Sequence, residues 1–279
     1  MSKKPFECIQ NNLSELIPKE CLKKLPRKWE KIGNICLICL NEELTSYADI
    51  IGEAYATVLD CKSVLRDLGG IEGVYRLPQV KVIYGDEDTE TVHKENGVSF
   101  VIDPSKVMYS SGNLDERKRM STIANHNEVI VDMFAGIGYF SIPMAVHVKP
   151  KKIYACEINP VAYGYLCKNI QMNDVACIID PLFGDSLFVA PENVADRVVM
   201  GYLGGTDRFF LKALSCLKEK IGMVHFHDTF PDEKIPDKPM ETLKEKSKLV
   251  DCDLELVTSI RVKSYAPGIG HYVFDIRVG

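Results

Sequence analysis

The sequence contains no apolar run of roughly 18 residues, the length that a helix needs to cross a bilayer. Its Lys-rich first residues do not have the pattern of a signal peptide. With a net charge of −5, the chain also lacks the overall basic excess of a protein that covers much nucleic acid. These absences predict a cytoplasmic protein without a membrane partner. The content of 46% apolar and 26% charged residues is typical of a globular protein.

Cysteine clusters with metal-ligand spacing are missing as well, although the chain has ten cysteines. Cys36 and Cys39 form its single C-x-x-C pattern, inside a segment with the composition of a strand. Residues i and i+3 of a strand point to opposite faces, so this pair cannot bind one metal ion. His225 and His227 would share one face of a strand, but no third ligand lies nearby in the sequence. We therefore predict reduced cysteines and no metal site.

What the chain does contain is a strand, loop and helix that suit a nucleotide-like ligand. Residues 129–131 are apolar and end in Asp132, and a loop with Gly136 and Gly138 leads into a helical pattern. A buried parallel strand delivers such a ligand to a helix start in this way. Glycines permit close approach to the backbone because they lack a Cβ. An ordinary strand–loop–helix corner has the same pattern, so the next segments must decide.

Two further acids follow at the ends of the next predicted strands. Residues 152–156 resemble a strand that ends in Glu157, where an acid usually accepts hydrogen bonds from ribose hydroxyls. Asp185 lies where a third strand should end and could accept from an adenine amino group. Asp132 places negative charge where a dinucleotide would place its pyrophosphate, and such charge favours a cation. The pattern therefore favours S-adenosylmethionine, a sulfonium without phosphate, over a nicotinamide cofactor.

The chain divides into two predicted domains. Residues 1–104 alternate short apolar runs with turns, including a hairpin that turns at 96–97, and predict a small α/β domain. Residues 105–279 form the second predicted domain. Within it, strand and helix patterns alternate through 128–226, which predicts a mostly parallel sheet with helices on both faces. Asn113 and Glu116 have the spacing of a helix N-cap and its capping-box partner.

Positive charge is concentrated locally in spite of the net charge. Residues 19–31 contain six basic and two acidic residues, a local balance of +4. Positions 117–119 are Arg-Lys-Arg, and Arg261 and Lys263 follow late in the chain. A solvated helix face explains such runs equally well, but together they permit a surface that follows a phosphate backbone.

Five motifs carry a resemblance to a known family: Val-Met-Tyr-Ser at 107–110, Asp-Met-Phe-Ala-Gly-Ile-Gly at 132–138, Ala-Asp-Arg-Val-Val-Met-Gly-Tyr at 195–202, His-Phe-His at 225–227 and Tyr-Ala-Pro-Gly at 265–268. On these motifs the chain resembles the archaeal aminocarboxypropyltransferases that act on the tricyclic guanosine at position 37 of tRNA in wybutosine synthesis. These enzymes are close relatives of the tRNA guanine-37 N1-methyltransferases. The resemblance implies a class I methyltransferase-like Rossmann fold for the larger domain and a role on the tRNA side for the smaller one.

The resemblance also implies roles for individual residues. Ser110 and Arg117 would hold the amino-acid end of S-adenosylmethionine, with Arg117 on its carboxylate. Tyr202 and Tyr265 could stack on an extruded base, or could equally lie in the core. The residues expected to bind the cofactor are Ser110, Arg117, Asp132, Gly136, Gly138, Glu157, Asp185 and Ser186. Those expected on the substrate side are Met200, Gly201, Tyr202 and Tyr265.

The turn Met200-Gly201-Tyr202 distinguishes between two reactions. In the methyltransferase relatives this turn carries Asn and Pro, whose oxygens hold the target nitrogen, and here both are missing. The resemblance therefore implies transfer of the 3-amino-3-carboxypropyl group to C7 of 4-demethylwyosine-37 in tRNA(Phe), with release of 5′-methylthioadenosine. The expected partner is the anticodon loop of tRNA, with no obligate protein partner.

Two alternatives stay open. One is a tRNA guanine-37 N1-methyltransferase, and the other is a non-catalytic tRNA-binding paralogue. The departures from the family pattern at 183–188 are the main support for the second alternative. Together with Gly270, they also leave the acceptor nucleoside open.

Overall fold

The computed structural model describes residues 4–279. They form two compact units, one that ends at Tyr109 and one that spans Ser110–Gly279. The division that the sequence placed between 104 and 105 thus falls between 109 and 110. The functions predicted for the two domains stay predictions.

The first unit combines a four-stranded sheet, ordered β1-β2-β3-β4, with helices and a separate hairpin, β5-β6. Its elements are α1 (Pro5–Leu13), α2 (Lys19–Lys23), β1 (Glu30–Ile32), β2 (Ile35–Cys39), α3 (Ala48–Leu59), β3 (Ser63–Glu72), β4 (Leu77–Gly85), β5 (Thr91–Glu95) and β6 (Val98–Ile102). Cys36 is buried and Cys39 exposed, as opposite faces of β2 require. Asn96 and Gly97 both have positive φ, 49° and 77°, so the predicted hairpin turn is confirmed.

The second unit contains a seven-stranded sheet in the order β12-β13-β11-β10-β7-β8-β9. Its elements are α4 (Leu114–Met120), β7 (Val129–Asp132), α5 (Ser141–His147), β8 (Lys152–Glu157), α6 (Pro160–Met172), β9 (Ile179–Phe183), α7 (Ser186–Val189), β10 (Arg197–Met200), α8 (Phe210–Cys216), β11 (Gly222–Pro231), α9 (Asp237–Ser247), β12 (Leu254–Ala266) and β13 (Ile269–Val278). Strands β11, β10, β7, β8 and β9 pair in parallel, and the last two strands are antiparallel. The predicted mostly parallel sheet is therefore confirmed.

The register of the parallel strands brings their carboxyl ends to one edge. Asp132 is opposite Val199 of β10 and Ala155 of β8, while Glu157 is opposite Phe183 of β9. Side chains and loops that follow these strands are consequently neighbours at this edge, where open α/β sheets bind ligands.

Helix α4 begins at the predicted residue but without the predicted cap. Asn113 precedes the helix and makes no side-chain capping bond, and the Glu116 carboxylate pairs with Arg119 instead. Asn113 ends a 3₁₀ turn with φ −103° and ψ 8°, whereas a capping residue is usually extended. The capping-box prediction is wrong for that reason.

Aromatic side chains form part of the core of the second unit. Phe210 of α8 contacts Phe226 of β11, with ring centroids 6.1 Å apart, and Phe274 of β13 is equally buried. Each such side chain stabilises the fold by about 1.5–3 kcal/mol when fully buried. In residues 4–279, the helices all fall short of the length and apolarity that a membrane span requires.

Candidate cofactor and substrate site

The loop after β7 requires its two glycines for its own conformation and packing. Gly136 and Gly138 have φ of +59° and +100°, in the region that favours glycine. A Cβ on Gly138 would lie 2.4 Å from Ile142 Cδ1 and 3.1 Å from Leu166 Cδ1. The missing Cβ of Gly138 therefore leaves room for the side chains of Ile142 and Leu166 to pack against the backbone of the loop.

Asp132 is fully buried at the start of this loop. Its Oδ2 accepts from Ser141 Oγ at 2.6 Å, and its Oδ1 accepts from the Phe134 N–H at 3.2 Å. Burial raises the pKa of this carboxyl to about 6. Because the side chain has no exposed surface and both of its oxygens already accept from the protein, we interpret Asp132 as a residue that joins β7 to the start of α5, and its predicted direct contact with the cofactor gains no support from the structure.

Glu157 stands at the end of β8 and faces the same loop. Its Oε2 accepts from the Gly136 N–H at 2.8 Å, and its Oε1 accepts from the Asn159 N–H at 2.7 Å. Burial raises the pKa of the Glu157 carboxyl. Each carboxylate oxygen retains a second lone pair, so the group could still accept two hydroxyl hydrogens from one ligand.

Asp185 and Ser186 follow β9 on the other side of Glu157. Asp185 Oδ1 accepts from the Leu187 N–H at 3.0 Å and caps the short helix α7. The Ser186 hydroxyl is buried, and in the described part of the chain it has no hydrogen-bond partner. A buried polar atom without a partner is costly, and a ligand is one way to satisfy it.

Ser110 and Arg117, predicted to act together, are in contact. Arg117 Nη1 donates to the Ser110 carbonyl at 2.8 Å, and its guanidinium lies over the Tyr139 ring, 5.5 Å from the centroid. Lys263 Nζ donates to Ser110 Oγ at 2.6 Å. Asn113 Oδ1 is buried and, among residues 4–279, has no hydrogen-bond partner. Two cations therefore contact Ser110, and an unsatisfied acceptor lies in the turn that follows it, a set of groups that suits the charges of an amino acid.

The four residues predicted on the substrate side differ in what they can contact. Met200 is completely buried in the core, so its place on the substrate side stays a prediction. Gly201 packs against Phe140, since a Cβ there would lie 2.7 Å from the ring. Tyr202 is half-buried, with its ring 5.0 Å from that of Phe134. Tyr265 is 61% exposed and is thus the most accessible of the four.

The arginines at 117–119 are largely unavailable as the predicted phosphate-following surface. Arg117 is buried, and Arg119 donates to Glu116 Oε1 and Asp275 Oδ2, both at 2.7 Å. Asp275 also contacts His225 Nδ1 at 2.5 Å, in a buried network between α4, β11 and β13. His225 is accordingly held inside this network by Asp275.

His227 lies two residues further along β11, beside a second histidine that the sequence did not single out. Its Nδ1 is 3.2 Å from His271 Nε2, and its ring lies 5.4 Å from that of Phe140. Burial lowers the pKa of both groups, that of His271 to about 4, so the pair is neutral at physiological pH. In residues 4–279 there is no group of three or more potential metal ligands.

Sequence reasoning also missed Asp228, which anchors the loop after β10. Its carboxylate accepts from the backbone N–H groups of Gly204, Gly205 and Thr206 at 2.8 to 3.2 Å. The Gly-Gly pair was a signal that this loop has an unusual conformation. Its partner lies more than twenty residues away, so no local pattern could identify it.

Comparison with known proteins agrees with this geometry. The protein-family model of the TRM5/TYW2 methyltransferase domain matches residues 91–255. The family model of the TYW2 N-terminal domain matches residues 9–89. The chain belongs to the TRM5/TYW2 family. The resemblance read from the motifs is thus confirmed.

Individual members of the TRM5/TYW2 family are similar over almost the whole chain. The tRNA(Phe) (4-demethylwyosine(37)-C(7)) aminocarboxypropyltransferase of Pyrococcus horikoshii is 42% identical over 97% of this chain and 96% of its own length. The tRNA (guanine(37)-N(1))-methyltransferase Trm5b of Pyrococcus abyssi is 35% identical over 99% of this chain and 86% of its own. The crystal structure of P. horikoshii TYW2 in complex with MeSAdo has a TM-score of 0.88 and 39% identity, and covers 98% of both chains.

Proposed function

We propose that this TRM5/TYW2 family member transfers the 3-amino-3-carboxypropyl group of S-adenosylmethionine to C7 of 4-demethylwyosine-37 in tRNA(Phe). The Met200–Gly201–Tyr202 turn at the end of β10 carries this proposal. Its residues include neither an Asn carboxamide nor a proline to hold a target nitrogen. Met200 is buried and Gly201 packs on Phe140. The higher identity to the aminocarboxypropyltransferase, 42% against 35%, agrees with this assignment.

The residues at the sheet edge fit S-adenosylmethionine. Glu157 has lone pairs for both ribose hydroxyls, and Asp185 with Ser186 would hold the adenine. Ser110 and Arg117 would hold the amino-acid end, Arg117 through the carboxylate. The unsatisfied Asn113 Oδ1 is a suitable acceptor for an ammonium group.

The bound donor supplies three electrophilic carbons on one sulfonium. In the proposed step, a bond forms between C7 and the γ-methylene of the aminobutyrate arm while the bond from that carbon to sulfur breaks. The electron pair goes to sulfur, C7 loses its proton, and 5′-methylthioadenosine is released. The protein's contribution is to hold the arm in line, with the reacting atoms about 3–3.5 Å apart.

The acceptor partner is proposed to be the anticodon loop of tRNA. Tyr265 is exposed enough to stack on an unpaired base, and Tyr202 is partly so. The basic segment 19–31 of the first unit would contact phosphates. A cytoplasmic location and the lack of an obligate protein partner stay predictions.

Incubation with S-adenosylmethionine and tRNA(Phe) that contains 4-demethylwyosine tests the proposal. Chromatography of the nucleoside products should show methylthioadenosine. Release of S-adenosylhomocysteine instead would support the methyltransferase alternative. If calorimetry shows that S-adenosylmethionine does not bind, the non-catalytic alternative is favoured.

A further inference from the structure

The carboxylate of Asp228 is surrounded by backbone N–H groups. The residue lies on β11, two positions beyond Phe226, which pairs with Met200 at the end of β10. Its Oδ1 accepts from Gly204 at 2.8 Å and from Thr229 at 2.7 Å. Its Oδ2 accepts from Gly205 at 3.2 Å and from Thr206 at 2.9 Å. Four donors on a side chain that is 5% exposed show a specific, enclosed contact.

The glycines explain how consecutive N–H groups reach one carboxylate. Gly204 and Gly205 have φ of +92° and +84°, and a Cβ on either would meet nothing within 4 Å. Glycine is thus required by the backbone conformation and not by lack of space. Consecutive amides in such a conformation form a concave anion-binding nest, and here the anion belongs to the protein.

This contact fixes the turn that the proposed function depends on. The residues from 201 to 206 are held at one end by β10 and at the other by Asp228. Inside the loop, Thr206 Oγ1 donates to the Tyr202 carbonyl at 2.9 Å. The Tyr202 ring lies against Phe134, which follows β7. The position of Tyr202 at the sheet edge is therefore tied to Asp228 through the loop 201–206.

We propose that Asp228 is a positioning residue that holds the Met200–Gly201–Tyr202 turn in the shape that selects the transferred carbon. The inference rests on the proposed function, because it concerns the choice between two carbons of the same donor. If the turn relaxes, the substrate is no longer held in line with the γ-methylene, and the methyl carbon becomes a competing electrophile. Asp228 itself touches neither donor nor acceptor in this account.

The test is Asp228→Asn, which keeps the size of the side chain but leaves one acceptor oxygen for four donors. We expect the affinity for S-adenosylmethionine to change less than about threefold, while kcat falls about tenfold or more, as misplacement of reacting groups typically causes. S-adenosylhomocysteine should appear beside methylthioadenosine. Asp196→Asn makes the same substitution at an exposed residue, whose side chain accepts from the Val129 N–H at 2.8 Å at the opposite edge of the sheet, and it should leave kcat and the product ratio unchanged.

A second variant covers the case in which Asp228→Asn does not fold. Gly205→Ala leaves the carboxylate in place and strains only the nest, because its Cβ enters open space. It should lower kcat in the same direction with unchanged donor affinity. If the folded variants keep the wild-type kcat and product ratio, the role of Asp228 is refuted while the proposed function still stands. A wild-type enzyme that releases no methylthioadenosine would overturn the proposed function, and the inference with it.

Discussion

Replacement of the buried acid Asp132 by asparagine should make protein stability respond differently to pH. The carboxyl is fully buried, with donors from Ser141 and Phe134, and its pKa is raised from 3.8 to about 6. The folded state therefore binds this proton more tightly than the unfolded chain does. Stability from this group is present below pH 4 and is lost as the pH rises through 6.

The size of the effect follows from the shift. Two pKa units correspond to about 3 kcal/mol of unfolding free energy. The pH dependence of wild-type stability does not by itself reveal the contribution of Asp132, because His271 changes stability in the opposite direction between about pH 4 and 6.5. Its pKa is lowered to about 4, so its contribution is lost as the pH falls from 6.5. The difference between Asp132→Asn and wild type cancels this second contribution.

Urea unfolding of both proteins at about pH 4.5, 6 and 7.5 measures that difference. The unfolding free energy of Asp132→Asn minus that of wild type should increase by about 2 kcal/mol from the lowest to the highest pH, because part of the full effect lies below pH 4.5. A difference that does not change with pH would refute the assigned burial and ionisation of Asp132. Loss of a charged hydrogen bond to the ligand would cost about 1.5–3 kcal/mol, which is about tenfold or more in affinity. Because Asp132 is buried, we expect it to make no such bond, so the affinity of Asp132→Asn for S-adenosylmethionine at pH 7.5 should change by less than about tenfold.

Three further substitutions test the site and its support. Glu157→Gln should weaken binding of S-adenosylmethionine by about 1.5–3 kcal/mol in calorimetry, and unchanged affinity would remove Glu157 from the ribose site. Tyr265→Ala should leave stability within about 0.5 kcal/mol, because the side chain is 61% exposed. It should nevertheless lower kcat/KM for tRNA by the equivalent of about 1–3 kcal/mol, and unaffected tRNA kinetics would contradict base stacking. Arg119→Met leaves the buried carboxylates Glu116 and Asp275 without their shared partner, so it should destabilise the fold by about 3–5 kcal/mol, which thermal unfolding would show or refute.

The acids that meet at the carboxyl edge of the parallel strands were predictable from local sequence. Strands β7, β8 and β9 are short, and an acid stands at the last residue of the first two and just beyond the third. Because parallel strands share one carboxyl edge, the positions of Asp132, Glu157 and Asp185 in the chain were sufficient to bring them together. The contact between Ser110 and Arg117 was expected from family resemblance and not from local pattern.

The environment of each side chain was less predictable, since it depends on partners distant in the sequence. Asp132 follows an apolar strand, as an exposed acid would, but Ser141 closes over it nine residues later. Arg119 resembles a surface charge until Asp275, 156 positions away, is placed beside it. Asp228 binds amides that lie 22 to 24 positions earlier. Such pairings are created by strand order, which no local periodicity encodes.

The most direct test of the account uses S-adenosylmethionine labelled separately in its methyl group and in its carboxyl group. With tRNA(Phe) that contains 4-demethylwyosine, carboxyl label should enter the tRNA while methyl label stays with the released nucleoside. Methyl label in the tRNA, with carboxyl label left in S-adenosylhomocysteine, would contradict the account.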